Sequence, residues 1–319
     1  MKRVRKYVAN NASLFLLVAF CILLGVFLAL NTTSFLTWKN FQNILEANAH
    51  RAILAIGMMV IISSGAIDLS IGAILALVGV VGATLLKAGC PVGMAILLML
   101  LLGVFLGGFN GALISATRIN SLIITLATAY IFRGCALIVT RGQSVSLLPD
   151  AFRTFGQGDI LGVESGVYMA VLVAVVVFVV MFKTKPGVYI TGLGGNADTL
   201  KKCGVNTFSY RVLSFATMGF LAALAAIIVT ARLNSAENTV GIGFEMDAIC
   251  AVIMGGTPMR GGRASLSGTL VAVLLLGLIR NGITLLSISP YYQTFITGAI
   301  LLIAVITAEI RERRVRIVE

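Results

Sequence analysis

The chain has 319 residues, 59% of them hydrophobic and 11% charged, with a mean hydropathy of +1.03. A soluble domain runs at about 45–50% apolar and about 25% charged, so lipid must be the solvent for much of this surface. The net charge of +12 does not indicate a nucleic-acid partner, because the basic residues sit at the ends of apolar runs.

As helices, apolar runs of about 18–24 residues cross a hydrocarbon core of about 30 Å. In chain order the spans fall at roughly 13–30, 43–63, 70–87, 92–115, 120–140, 166–183, 211–231, 245–257, 268–285 and 291–309. Ten spans result, or eight if two runs are re-entrant. The fold class is an all-α polytopic membrane protein in one domain, residues 1–319, with Gly-interrupted segments. The first run follows MKRVRKY but is longer than a signal-peptide core and has no clear small-x-small cleavage site. It reads as a retained helix. The five cysteines are scattered and suggest no disulfide or metal framework; Cys203 reads as an exposed thiol.

With the N-terminus in the cytoplasm, most basic residues fall on that side, among them Arg118, Lys183, Lys185, Lys201, Lys202, Arg211, Arg260 and Arg263. The opposite side takes Asp150, Asp159, Glu164, Glu237, Glu245 and Asp247. Both termini are basic, which fits an even span count. The loop from about Arg141 to Ser165 is polar enough to be ordered outside the membrane.

Between two apolar runs lies the polar stretch KTKPGVYITGLGGNADTLKKCGVNTFSYR, Lys183 to Arg211. About one turn of helix, Ala197 to Cys203, is preceded by Gly192, Gly194 and Gly195 and ended by Gly204. A plain helix connection needs far less, so the segment reads as a docking element outside the membrane. A weak internal repeat links residues 53–79 with 248–277. Each half is an apolar run, a Gly-rich polar break, then Leu-Ser and a small-residue run. Paired Gly-interrupted segments point to a transport pathway, although Gly and Ser also simply permit close packing.

Ionisable residues at membrane depth are Glu46, His50, Arg51, Asp68, Arg133, Arg280 and Asp247; they must face protein or water. Glu46 and His50 share one helix face. Asp68 fits either an N-cap of the third span or a pathway residue beside Ser70. The uncharged pathway candidates are Asn48, Asn110, Asn120, Thr125, Thr128, Asn281, Thr284, Gln293 and Thr297. Amides and hydroxyls both donate and accept, which suits a neutral, hydroxyl-rich solute. A proton- or sodium-coupled carrier would place several acids mid-membrane, and an integral-membrane transferase would cluster acids or histidines at the interface. Neither pattern is present. Nor is a GxxxxGK[ST] loop, a metal cluster or a GxSxG elbow.

Four stretches together resemble the permease subunits of bacterial ABC importers for monosaccharides: SSGAIDLSIGA (63–73), GLGGNADTLKKCGVN (192–206), residues 231–270, and GLIRNGITLLSISPYYQ (277–293). The resemblance implies a multi-pass inner-membrane permease with both termini cytoplasmic. It also implies a second permease subunit, a cytoplasmic ABC ATPase that holds the ATP and magnesium, and a periplasmic sugar-binding protein. Residues 184–210 would then carry the coupling helix, with Gly194, Gly195, Asn196, Ala197, Asp198, Lys201, Lys202 and Gly204 meeting the ATPase. Ser121-Leu122 stands where an Ala-Phe pair is common, so the preferred sugar would differ from ribose if that region lines the pathway. A nucleoside or another small polar solute is the alternative cargo, and a self-sufficient secondary carrier is the alternative mechanism.

Overall fold

The computed structural model describes residues 12–289 and, beyond them, 291–293, 295–296, 298–300, 302–303 and 306. Thr297, part of the expected last span and the basic tails lie outside the described residues. The described chain is helical, as the composition requires. In order the helices are α1 (Ala12–Asn31), α2 (Trp38–Ser63), α3 (Ile71–Lys87), α4 (Val92–Thr117), α5 (Ser121–Thr140), α6 (Asp150–Gln157), α7 (Ser165–Lys183), α8 (Lys185–Lys202), α9 (Thr207–Leu233), α10 (Phe244–Met254) and α11 (Leu266–Leu285).

Seven of these, α1, α2, α4, α5, α7, α9 and α11, are long and apolar enough to cross a membrane. The expected spans at 70–87 and 245–257 are the short ones: α3 has 17 residues and α10 only 11. Each borders a Gly-containing break, 64–70 or 255–265, so the interruptions read from the sequence are real chain breaks at helix ends.

The centre of the bundle is α2, α3, α9 and α10, whose apolar residues are buried nearly all round. Around them, α1, α4, α5 and α7 carry large exposed apolar side chains such as Leu23, Phe105, Ile123 and Val175. Backbone polarity is satisfied within each helix, so these faces can meet lipid. Helices α4 and α9 approach closely because Gly103, Gly107 and Gly111 repeat every four residues against Gly219, Phe215 and Val212. A Cβ on Gly219 would stand 2.0 Å from the Gly103 carbonyl oxygen. Gly219→Val is therefore expected to destabilise the protein by about 1–3 kcal/mol. Thermal unfolding in detergent checks this, and an unchanged midpoint would mean that the contact between α4 and α9 contributes nothing to stability.

Two short antiparallel pairs lie at the opposite end of the bundle from α8. Strand β1 (Val145–Ser146) pairs with β4 (Ser235–Ala236), and β2 (Asp159–Ile160) with β3 (Val163–Glu164). Helix α6 packs its buried Phe152 and Gly156 on the C-terminal end of α9. The 141–165 loop is thus ordered, as its polarity suggested. Arg232 Nε sits 2.9 Å from Glu164 Oε2 and clamps this layer to α9. Burial pushes the Glu164 carboxyl up, and the Arg232 guanidinium pulls it back.

Candidate functional site

The polar stretch after Lys183 is more helical than its glycines indicate. Residues 185–202 form α8, broken only at Asn196, which is extended (φ −161°, ψ 101°). The single turn expected at 197–203 is thus an underestimate. The glycines are tolerated because they sit against backbone: Gly187 on Met181, and Gly194 on the α2 terminus. After the kink, Asn196 Oδ1 accepts from Thr199 N at 2.9 Å and caps the second piece. Gly204 ends it with φ +80°, and its N–H donates to the Lys201 carbonyl at 3.0 Å. Asn206 then caps α9 through Ser209 N. The result is a short capped helix presenting Asn196, Asp198, Lys201 and Lys202 to solvent, with Ala197 half-buried behind them. Cys203 is exposed there too.

Gly194 is the point where this element touches both breaks. A Cβ at Gly194 would lie 2.3 Å from Ser63 O, 2.6 Å from Gly262 N and 2.8 Å from Gly65 N. Gly65, Gly261 and Gly262 all have φ near +80°, a conformation that L side chains rarely adopt. The Gly262 N–H donates to the Ser63 carbonyl at 3.0 Å, joining the two breaks directly. Helix α8 is therefore in close contact at once with the end of α2, the 64–70 break and the 255–265 break. Gly195 behaves differently: a Cβ there meets only Gly262 Cα at 4.0 Å.

The first break is held by a buried polar chain. Asp68 is not the cap of α3; the cap position is Ser70, whose side chain makes no cap bond. Instead Asp68 Oδ1 accepts from Ser70 N at 2.8 Å and from Ser70 Oγ at 2.6 Å. Asn110 Nδ2 donates to Ser70 Oγ at 2.8 Å, bringing in α4. From α5, Ser121 Oγ accepts from Ile67 N, and Thr125 Oγ1 accepts from Leu69 N, both at 3.1 Å. Thr128 Oγ1 is buried and donates to the Thr125 carbonyl. Asp68 Oδ2 and Asn110 Oδ1 are buried without a partner. Asp68→Ala removes the acceptor for two Ser70 donors and is expected to cost about 1–3 kcal/mol, whereas Asp68→Asn keeps one oxygen and costs less. A thermal series of the two variants checks the order; equal midpoints would contradict it.

Of the pathway candidates, the structure gathers Asp68, Ser70, Asn110, Thr125 and Thr128. It scatters the others. Asn120 caps α5 through Leu122 N and is exposed. Asn48 donates to the Ile44 carbonyl and packs under Gly277. Asn281 pairs with Asn40 at 2.7 Å, Thr284 donates to the Arg280 carbonyl, and Gln293 is half-buried. Glu46 and His50 do not pair: Glu46 faces Arg232 at 3.9 Å and accepts from Glu164 N, while the His50 ring lies 5.3 Å from Phe244.

A constellation that pairwise spacing does not bring together joins Arg51, Asp247 and Arg280 across α2, α10 and α11. Each was visible as an ionisable residue in an apolar run; only their convergence was hidden.

Residues 40–305 match the family described as the branched-chain amino acid transport system permease component. The chain belongs to that family. The permease is also 36% identical to a ribose import permease of Haemophilus influenzae over 293 residues, covering 91% of this chain and 90% of that one. A ribose import permease of Bacillus subtilis is 38% identical, with 89% of each chain covered. An L-arabinose ABC transporter permease of Azospirillum brasilense is 32% identical, covering 91% of this chain and 85% of the relative. No solved structure matches the permease.

Proposed function

We propose that this permease imports a monosaccharide across a bacterial inner membrane as the membrane subunit of an ABC importer. The observation that carries the reading is the Gly194 junction. A solvent-facing, capped, basic helix is packed backbone to backbone against both breaks of an internal repeat. Such an element suits transmission of force from a second protein. The relatives named for ribose import and for L-arabinose transport, matched over 85–90% of their length, favour a sugar over the amino acids in the family's name.

In this reading α8 docks on a cytoplasmic ATPase, which holds ATP and magnesium. Lys183, Lys185, Lys201, Lys202 and Arg211 lie on the cytoplasmic side, in keeping with the excess of Lys and Arg in cytoplasmic loops. The opposite layer, with α6 and the two strand pairs, receives a periplasmic sugar-binding protein. A second permease subunit completes the pathway. ATP-driven closure of the ATPase pair pushes on Asn196–Lys202, and Gly194 passes the displacement to residues 64–70 and 255–265.

The test is reconstitution. The permease, co-expressed with its ATPase, is placed in liposomes and supplied with a binding protein and labelled D-ribose, L-arabinose or leucine. ATP-dependent sugar uptake is the expected result. Uptake by the permease without any ATPase, or uptake of leucine alone, would overturn the reading.

A further inference from the structure

The helices flanking the two breaks also share a second, charged meeting point, distinct from the glycine junction. Arg51 lies mid-way along α2, Asp247 in the first turn of α10 and Arg280 on α11. Arg51 Nη1 and Arg280 Nη2 both stand 2.5 Å from the same carboxylate oxygen, Asp247 Oδ2. We propose that this cluster is a binding station of the translocation pathway, where a pair of neighbouring sugar hydroxyls is held between Arg280 and Asp247. The proposal rests on the sugar-import reading and adds the place where the sugar is contacted.

Three observations support it. First, charged side chains within apolar helices persist only against protein or water. Arg51, Asp247 and Arg280 keep 21%, 15% and 15% of their side-chain surface accessible, so the cluster is nearly but not fully sealed. They line a cavity of about 10 Å³ together with Leu54, Ala55 and Leu276, which is at the lower bound for one water.

Second, the cluster lacks an acceptor. Arg280 Nε is buried without a hydrogen-bond partner, while Nη2 is engaged by the ion pair with Asp247 Oδ2. Arg51, by contrast, makes a directed bond to Asp247 and lies 4.7 Å over the Phe244 ring, so it is already committed. The open donor is Arg280 Nε.

Third, the chemistry selects a hydroxyl. A hydroxyl can accept from Arg280 and donate to Asp247 at once, and two neighbouring hydroxyls match the planar fork of a guanidinium. A simple anion would satisfy Arg280 but meet the Asp247 carboxylate at close range. The cavity is too small for a sugar as it stands, so the structure represents the closed station. Opening requires α10 to part from α2 and α11, the helices whose ends the Gly194 junction holds.

The test uses the complete reconstituted importer with saturating binding protein and labelled D-ribose. Arg280→Gln is expected to lower the uptake rate at least about tenfold, the equivalent of one lost hydrogen bond to a charged group. The yield of assembled complex, measured alongside, normalises the rate. Arg280→Lys, which restores charge without the fork, should recover part of the rate. A second variant, Leu276→Cys with the five native cysteines replaced by serine, carries its one thiol on the cavity wall. A small hydrophilic thiol reagent should label it, and excess D-ribose should slow that labelling. Wild-type uptake by Arg280→Gln would overturn the station. So would labelling of the Leu276→Cys variant that phosphate slows and D-ribose does not. If the unsubstituted importer moves no monosaccharide at all, the function has failed and not the site alone.

Discussion

Gly194→Ala should uncouple the importer: sugar uptake falls about 5–150-fold, the range of a typical coupling free energy, while ATP hydrolysis continues. The added Cβ would enter a space bounded by Ser63 O at 2.3 Å, Gly262 N at 2.6 Å and Gly65 N at 2.8 Å. All three are backbone atoms, and backbone cannot swing aside as a long side chain would. The α8 segment must lift, and the Gly262-to-Ser63 hydrogen bond loses its support. Gly195→Ala is the matched control, because its Cβ meets only Gly262 Cα at 4.0 Å. That variant should transport normally and gain slightly in helix propensity, by up to about 1 kcal/mol. Uptake and ATPase rates measured on the same liposomes give the ratio that decides. Equal coupling in Gly194→Ala and Gly195→Ala would mean that the junction transmits nothing.

Asp247→Ala should destabilise the protein strongly. It leaves the Arg51 and Arg280 guanidinium groups facing each other with their shared carboxylate gone. Removing one partner from a buried ion pair costs about 3–5 kcal/mol, because the remaining charge keeps its desolvation penalty. A triple replacement of Arg51, Asp247 and Arg280 by methionine removes the charges together. It is expected to recover most of the lost stability, since apolar side chains of similar volume often replace a buried ionic cluster at little cost. It should not recover transport. Thermal midpoints and uptake measured side by side therefore separate packing from function. A triple variant that transports like the wild type would show that the cluster serves stability alone.

The sequence was informative where the physics is local. Spans follow from runs of apolar residues, because a helix satisfies its own backbone within the segment. The breaks at 64–70 and 255–265 were visible in their glycines and in Pro258. The solvent-facing helix α8 was visible as a polar stretch bordered by lysines. Local patterns misled where a residue's setting depends on another segment. The glycines of GLGG suggested loop, yet Gly194 lies in helix α8 because it packs on Ser63 and Gly262. Asp68 sits two residues before Ser70 and resembled a cap, but its oxygen accepts from Ser70 and leads to Asn110, which is 40 residues from Ser70 in the chain.

What the sequence by itself determined was a polytopic helical membrane protein, the places where its helices are interrupted, and a polar, basic segment between two apolar runs. Each of these rests on free energies that act within about one helix length: apolar transfer, internal hydrogen bonding and backbone freedom at glycine. Only the tertiary structure decided which interruptions meet, that Gly194 is the point of contact and Gly195 is not, and that Arg51, Asp247 and Arg280 share one oxygen. Those facts depend on the approach of segments separated by up to 229 residues, as Arg51 and Arg280 are. No spacing along the chain encodes that approach; it is fixed by how the small residues of α2, α9, α10 and α11 let the helices close on one another.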